Sequence, residues 1–243
     1  MPEPAEIADG CRSFVSNYFS FGFTKEVHLL ERLENPYNGI GSFLLTCMLA
    51  MSSPFTESLV RRYDGALRAS EILATKARSM ALSEQYKPNL ENTQAFFLLG
   101  IYEWAHGRGQ LGWMQMGVAV RMAGLLKLHR ESTYDLPHNA TSEECIASES
   151  ARRTFWLIQS HDQHLASGTG RPKSFDLLDI DVQLPSSEED FCFGQAPVQR
   201  AVLANTSAAK GNEHLEMTPY RSLYATVIQG PCVLLHSIKH AIL

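Results

Sequence analysis

The spacing of apolar residues constrains the fold of this chain more than any other feature. Apolar side chains recur every three or four positions along most of the sequence, which is the spacing of one face of an α-helix. No stretch of useful length alternates apolar and polar residues as a half-buried strand does. The sequence therefore predicts an all-α fold, a packed array of antiparallel helices formed by residues 1–243 as a single domain.

The clearest supersecondary unit is a helical hairpin over residues 93–129. Its predicted helices, 93–105 and 110–129, are joined only by Gly107-Arg108-Gly109. Two helices with so short a connection are expected to pack antiparallel.

Three glycines lie inside these two helices, at Gly100, Gly117 and Gly124. A glycine there costs about 1 kcal/mol relative to alanine, so we expect close helix approach to offset the cost. Further helices are predicted over about 7–18, 40–51 (buried) and 57–84, and at the C-terminus.

A helix that ends in a glycine-rich turn occupies the middle of the chain. Thr141 and Glu144 have the spacing of a capping box, which predicts the start of this helix. Its periodic pattern runs to about residue 166. Gly168 and Gly170 then predict its end, because glycine adopts positive φ, and Pro172 disfavours a return to helix in the residue before it.

An extended acidic loop is predicted over residues 171–194. The carboxylates in its first half are Asp176, Asp179 and Asp181. Arg171 is expected to pair with one of them and to pin the loop to the end of the helix, so that Arg171→Ala would loosen or unfold the domain. Arg152 and Arg153 are the alternative partners of these carboxylates.

The stretch 152–185 resembles the regulatory region of fungal zinc-cluster transcription factors, called the middle homology or xylanolytic-activator-type regulatory domain. The family pattern is a basic pair, an aromatic pair, an Asp, a Gly-Arg-Pro and an Asp-Ile-Asp-x-x-Leu-Pro. The matching residues are Arg152, Arg153, Phe155, Trp156, Asp162, Gly170, Arg171, Pro172, Asp179, Asp181, Leu184 and Pro185. The resemblance covers roughly residues 10–195, and the complete string in this order is specific.

The resemblance implies a regulatory domain that controls DNA-templated transcription in the nucleus. Complete members bind DNA through an N-terminal six-cysteine zinc module, but residues 1–27 contain only Cys11. We therefore expect no cofactor in this chain, and zinc and DNA only through that module. The implied partners are the transcription machinery or coregulators, a small-molecule inducer and a second copy in a homodimer. A fragment, a gene model with a wrong start and a shortened homologue all stay open.

Composition agrees with this expectation. The net charge of −5 and a pI near 6.0 lack the basic excess of a domain that binds DNA by itself. The five cysteines are dispersed without a C-x-x-C, so neither a disulfide framework nor a zinc site is predicted. No apolar run reaches the roughly 18–20 residues of a membrane span, so no membrane partner is expected.

Other candidate sites are weaker. Each histidine pair, 161/164 and 236/240, lacks a third metal ligand, and the acids at 179, 181, 188 and 189 have no accompanying nucleophile, so no enzyme activity is expected. An effector pocket would be lined by Trp104, Trp113, Met114 and Trp156, although core packing accounts for the same residues.

Composition and apolar spacing predict the structure of the last quarter of the chain. The acidic and aromatic residues of 186–194 are expected to form a solvated loop, with a coactivator ligand as the alternative. Residues 195–217 are expected to form an exposed loop, and 218–243 an apparently truncated helix. An all-helical interaction scaffold without a role in transcription is the alternative function.

Overall fold

The computed structural model describes residues 1–35, 39–167, 170–218 and 222–229. These residues form helices and turns without a strand, so the predicted all-α class is confirmed. The chain separates into two compact units, Met1–Leu126 and Lys127–Leu243. The assignment of 1–243 to one domain and the antiparallel arrangement of the array stay predictions.

The described residues of the first unit form seven α-helices and two short 3₁₀ turns, Phe19–Phe21 and Ser53–Phe55. The helices are α1 (Pro4–Asn17), α2 (Glu26–Glu34), α3 (Ser42–Ser52), α4 (Glu57–Arg62), α5 (Ala66–Glu84), α6 (Leu90–Ala105) and α7 (Gly109–Leu125). Helix α3 is its centre, because every residue after Ser42 is buried and α1, α5 and α6 all pack against it. The nearly continuous apolar run over 40–51 had predicted such a buried helix.

The predicted single helix over 57–84 is wrong, because it is divided at Asp64-Gly65. Asp64 has φ 58° and Gly65 has φ 139°, and a helix cannot continue through two residues with positive φ. The dipeptide Asp-Gly is itself a turn signal, which the longer apolar pattern obscured.

The hairpin of α6 and α7 depends on two glycines that face each other. A Cβ added at Gly100 would lie 3.1 Å from the carbonyl oxygen of Gly112, and one added at Gly112 would lie 2.8 Å from that of Gly100. The predicted close helix approach is therefore confirmed at Gly100, and the sequence analysis did not identify Gly112 as its partner. The prediction is wrong for Gly117 and Gly124, where an added Cβ would meet nothing within 4 Å.

A buried carboxylate holds the connection of the hairpin. Glu103 is fully buried and accepts a hydrogen bond from Arg78 Nε at 2.6 Å, and it also binds Arg108 of the connecting loop. Arg78 further pairs with Glu71 at 2.9 Å. The loop is therefore fixed to α5 by charge as well as by its short length.

Two described helices and four short 3₁₀ turns form the second unit, together with a helical stretch over 223–229. They are α8 (Ser142–Ser167), α9 (Glu188–Phe193) and the turns Glu131–Tyr134, Leu177–Asp179, Ser207–Ala209 and Glu213–Leu215. The predicted histidine pair 236/240 and most of the predicted C-terminal helix lie outside the described residues.

The predicted exposed loops are wrong in detail. Within 186–194, Ser187 caps α9 through a hydrogen bond from Asp190 N at 3.0 Å, and Phe191 is buried. Within 195–217, Ala201, Val202 and Leu203 are buried, and Val202 packs with Ala209 and Leu215. Short apolar groups without helical period were too weak a signal to show this burial.

We predict opposite effects for alanine at two glycines of α7. Gly112→Ala should destabilise the chain by about 1–3 kcal/mol, because the added methyl group meets backbone atoms that cannot rotate away. Gly117→Ala should stabilise it by about 0.5–1 kcal/mol, because alanine favours helix and the space is open. Urea denaturation measures both, and equal effects would contradict the assigned contact.

Candidate functional site: a buried arginine–glutamate network

Helix α8 brings three charged residues of the second unit onto one side. Its N-terminus is fixed by the predicted capping box, in which Thr141 N donates to Glu144 at 2.8 Å and Glu144 N donates to Thr141 Oγ1 at 3.2 Å. Glu149, Arg152 and Arg153 then follow at helical spacing, and all three are buried. Buried charges require close partners, so these residues define the site.

Arg152 binds Glu131 with both terminal nitrogens of its guanidinium group. Its Nη1 and Nη2 donate to the two carboxylate oxygens at 2.6 and 2.7 Å. Nη1 also donates to the carbonyl oxygen of Gln183 at 3.0 Å, and the group stacks 4.2 Å from the ring of Tyr134. This bidentate geometry fixes direction as well as charge.

Arg153 lies at the centre of the network with none of its surface exposed. It donates to Glu149 at 3.1 Å, to Glu188 at 3.0 Å and to the carbonyl oxygen of Ser186 at 3.0 Å. Its guanidinium group lies 4.3 Å from the ring centre of Phe191 and 5.0 Å from that of Tyr224. It therefore joins α8 to α9 and to the stretch 222–229.

Glu149 connects both arginines to a third one. Its carboxylate accepts hydrogen bonds from Ser186 N at 2.8 Å and from Arg200 Nη1 at 2.7 Å, and it lies 3.9 Å from Arg152 Nε. Burial lowers the pKa of Arg200, and the charge of Glu149 opposes that effect. The buried carboxylate of Glu149 is thus within 4 Å of three arginine side chains.

Glu131 has a lowered pKa although its side chain is partly buried. Burial by itself raises the pKa of this carboxyl group, but hydrogen bonds and charge from Arg152 and the hydrogen bond from Gln183 N outweigh it. The net result is a pKa below the ordinary value.

The aromatic pair and the aspartate of the sequence motif also have defined places. Trp156 is fully buried and its indole N–H donates to the carbonyl oxygen of Gln183 at 2.9 Å. Phe155 packs edge-on against Phe175 at 5.4 Å. Asp162 accepts hydrogen bonds from Ser174 N and Ser174 Oγ, both at 2.8 Å. These three residues hold the segment that follows the helix against α8.

That segment inserts alternate side chains into the core of the second unit. Ile180, Val182 and Leu184 are fully buried. Leu184 N donates to Ala201 O at 2.8 Å, and Pro185 O accepts from Ser222 Oγ at 3.0 Å. The alternation explains the spacing of the Asp-Ile-Asp-x-x-Leu-Pro string.

The alternative in which Arg152 and Arg153 bind the aspartates of the loop is wrong, because their partners are Glu131, Glu149 and Glu188. Asp181 instead accepts a hydrogen bond from Glu131 N at 2.8 Å and lies 3.6 Å from Arg130. Asp176 accepts from Leu178 N, and Asp179 ends the turn Leu177–Asp179.

The turn at Gly170-Arg171-Pro172, which follows α8, has the predicted backbone conformation, but the predicted role of Arg171 is not tested. Gly168, the other glycine predicted to end the helix, lies outside the described residues. Gly170 has φ 65°, the positive value that the motif had indicated, and Pro172 follows it. The role of Arg171 as a clamp stays a prediction.

Three residues of the network were missed by the sequence, namely Glu131, Glu149 and Arg200. Glu149 carried a signal, since it precedes Arg153 by one helical turn. Glu131 and Arg200 carried none, because they lie 21 residues from Arg152 and 51 from Glu149.

The residues of the predicted effector pocket lie in different surroundings. In the first unit, Trp104 and Met114 are exposed, Met114 by 66%, and Trp113 is half-buried. Trp156 belongs to the second unit and is part of its core. The pocket stays a prediction.

The described part of the chain contains no group of three or more ligating side chains that could hold a metal ion. Likewise, none of its described helices combines the length and apolar character required to cross a bilayer.

Comparison with known proteins agrees with this geometry. The family model of the fungal specific transcription factor domain matches residues 13–201. A pigment biosynthesis transcriptional activator of Monascus ruber is 30% identical over 162 residues, which are 65% of this chain and 28% of that protein. A Zn(2)-C6 fungal-type transcription factor of Fusarium oxysporum f. sp. lycopersici is 29% identical over 191 residues, 75% of this chain and 20% of that protein.

A third relative, an uncharacterised transcriptional regulatory protein of Schizosaccharomyces pombe, is 25% identical over 202 residues, 80% of this chain and 29% of that protein. The chain thus spans less than a third of each relative. No solved structure matches it.

These matches define the class as the regulatory middle domain of transcription factors, as the motif in α8 and the following segment had indicated. The chain belongs to the fungal specific transcription factor domain family.

Removal of Glu149 tests the centre of the network. Glu149→Ala should destabilise the chain by about 3–5 kcal/mol, because it removes the carboxylate that buried Arg153 shares with Arg200 and leaves Arg153 with Glu188 alone. The control Glu57→Ala removes an exposed pair with Arg61 and should cost less than about 0.5 kcal/mol. Chemical denaturation of both variants is the measurement, and similar losses would contradict the assigned importance of burial.

Acid should weaken the network through Glu131. Its folded pKa lies below the ordinary 4.5, so its contribution is complete above that pH and is lost as pH falls through the folded pKa. Glu131→Gln should therefore be less stable at neutral pH and should lose less stability on acidification. Thermal unfolding followed across pH measures this, and parallel profiles for both proteins would contradict it.

Proposed function

We propose that this chain is the regulatory part of a nuclear fungal transcription factor and acts through coregulator proteins rather than by catalysis. Its family and the names of its relatives support this class of function. Zinc and DNA would be bound by another module of the complete protein. The acidic balance of the chain, −5, agrees with that division of labour.

The observation that carries the mechanism is the complete burial of Arg153 among partners from several segments of the chain. One side chain holds Glu149, Glu188, the backbone at Ser186 and the ring of Phe191. Losing one partner leaves a buried charge incompletely compensated, so intermediate arrangements are costly. The network therefore favours two states, one with α9 and its neighbouring segments attached and one with them released.

A ligand shifts the balance between two such states only if its affinity for one state differs from its affinity for the other. In this proposal, a coregulator or a small-molecule inducer binds one state more tightly and shifts the population. The Gly170-Arg171-Pro172 turn lies between α8 and the segment that follows, where it would set the position of that segment. The motif would then be the switch of the domain rather than a ligand site.

A tethered reporter tests the proposal. The chain is fused to an unrelated DNA-binding module, and transcription from a matching promoter is compared with that of the module alone. Arg152→Lys keeps the charge but loses the bidentate pair with Glu131, so it should change the effect of the tethered chain by about fivefold or more. Arg171→Ala should act in the same direction.

The matched control is Arg61→Lys, which alters an exposed pair and should leave reporter output unchanged. Immunoblotting establishes equal protein levels for all variants. A tethered chain that never changes transcription and is excluded from the nucleus would support the interaction scaffold instead. An effect that Arg152→Lys leaves intact would retain the regulatory role and remove the switch.

A further inference from the structure

Helix α8 contains a buried amide whose hydrogen-bonding capacity is unused. Only 1% of the surface of Gln159 is exposed. Neither its carbonyl oxygen Oε1 nor its amide nitrogen Nε2 has a hydrogen-bond partner among the residues that the structure describes. A buried amide without partners costs free energy that an apolar side chain of similar volume would not. The stability of the folded arrangement therefore does not explain a glutamine at this position.

The position of Gln159 on α8 identifies the segment that covers it. Successive residues of a helix are rotated by about 100°, so Phe155, Gln159 and Asp162 lie within about 60° of one another. The ring of Phe155 packs edge-on against that of Phe175, with the ring centres 5.4 Å apart. Asp162 accepts hydrogen bonds from Ser174 N and Ser174 Oγ, both at 2.8 Å. Contacts with one segment thus lie on both sides of Gln159 along the helix, and this segment covers its face.

The covering segment, residues 172–176, is named the strap. Four of its five residues are exposed and none belongs to a helix, so it forms a single thin layer over α8. In the described part of the chain, its polar attachments to α8 are the two hydrogen bonds of Ser174, and Phe175 adds the ring contact. Gly170 lies before it with φ 65°, where an added Cβ would meet nothing within 4 Å. The strap can therefore lift at that point while α8 stays folded.

A second polar group borders the same two rings. His129 lies beside Phe175, with the ring centres 5.8 Å apart, and its Nδ1 is buried without a hydrogen-bond partner among the described residues. Burial and the charge of Arg130 lower the pKa of His129, so its imidazole is neutral at pH 7. The series His129, Phe175, Phe155, Gln159 thus has an uncharged polar group at each end and two aromatic rings between them.

We propose that lifting of the strap opens a binding site for a small uncharged molecule that carries an aromatic ring and a carboxamide or lactam group. The amide of Gln159 offers a donor and an acceptor in one plane, and the amide of such a ligand offers the matching pair, so two hydrogen bonds form together. The ring of the ligand takes the place of Phe175 beside Phe155. An anionic ligand is disfavoured, because Asp162 contributes a carboxylate one helical turn away.

The chain itself connects this site to the arginine network. The strap leads through the turn Leu177–Asp179 to Gln183, whose carbonyl oxygen accepts from Arg152 at 3.0 Å and whose N–H donates to Glu131 at 2.7 Å. A ligand that holds the strap open therefore favours release of the segment bound by Arg152. This deepens the proposed function by giving its inducer a site, and it rests on that function for the meaning of binding, although the binding itself does not.

Benzamide, which combines an aromatic ring with a neutral carboxamide, is the probe. Saturation-transfer NMR with the purified chain measures its Kd, and labelling of glutamine with ¹⁵N locates it through the side-chain NH₂ signals of Gln159. These signals are assigned by their loss in Gln159→Leu. Benzamide should bind saturably and shift them. Benzoate, which is charged, and isopropylbenzene, which has no donor or acceptor, should bind at least about fivefold more weakly.

Three variants separate recognition from folding. Gln159→Leu should raise the Kd of benzamide about tenfold or more and also raise the Tm of the free chain, because it removes a buried amide without partners. The matched control Gln195→Leu changes an exposed glutamine of the second unit and should leave Kd within about twofold. Ser174→Ala removes the hydrogen bond from Oγ to Asp162, so the strap opens more readily and Kd should fall about threefold.

Four results would overturn the inference: no saturable binding, a Kd that Gln159→Leu leaves unchanged, equal binding of isopropylbenzene, or a lower Tm for Gln159→Leu. The last would show that an ordered water already satisfies the amide. A higher Kd for Ser174→Ala would overturn the assignment of the strap as the cover of the site.

The outcome is distinguishable from that of the reporter experiment. A chain that fails to bind benzamide but whose tethered effect still responds to Arg152→Lys retains the proposed function and loses the site. Binding at Gln159 without any tethered effect retains the site and removes the proposed function.

Discussion

The second unit depends on how two adjacent arginines, Arg152 and Arg153, are compensated inside it. Moving a guanidinium group out of water is costly, and the cost is offset only where several hydrogen bonds and a counter-charge surround it. Here the surroundings come from four places along the chain: the turn at Glu131, helix α8 itself through Glu149, the segment 183–186 and helix α9. Each of these segments is therefore fixed by the same two side chains.

Such a network adds little net stability to the fold, but it fixes the orientation of the segments that it joins. Well-packed apolar residues of similar volume often stabilise a protein as much as buried ion pairs do. What the pairs add is a defined direction. The bidentate pair holds Arg152 and Glu131 in one plane, Arg152 also binds the backbone at Gln183, and Arg153 binds the backbone at Ser186 and the side chain of Glu188. A domain that must change state in response to a partner benefits from such all-or-none contacts.

Helix α9 shows how the network reaches the surface. Its inner residues belong to the buried cluster, while Phe193 and the neighbouring carboxylates face solvent. The first unit uses the same physical device at a smaller scale, where buried Glu103 fixes the hairpin connection through Arg78 and Arg108. In both units, irregular segments are positioned by charge and the helices by apolar packing.

The sequence by itself determined the all-α class, the buried helix α3, the capping box and termination of α8, and the family, because each rests on local spacing or on one contiguous string. Its alternative pairing of Arg152 and Arg153 with the aspartates of the loop named the wrong carboxylates. Only the tertiary structure decided those partners, the contact of Gly100 with Gly112 and the position of α9. The physical reason is that a pairing across 21 to 51 residues depends on which segments fold against each other, and an arginine alone does not indicate which carboxylate that brings within reach.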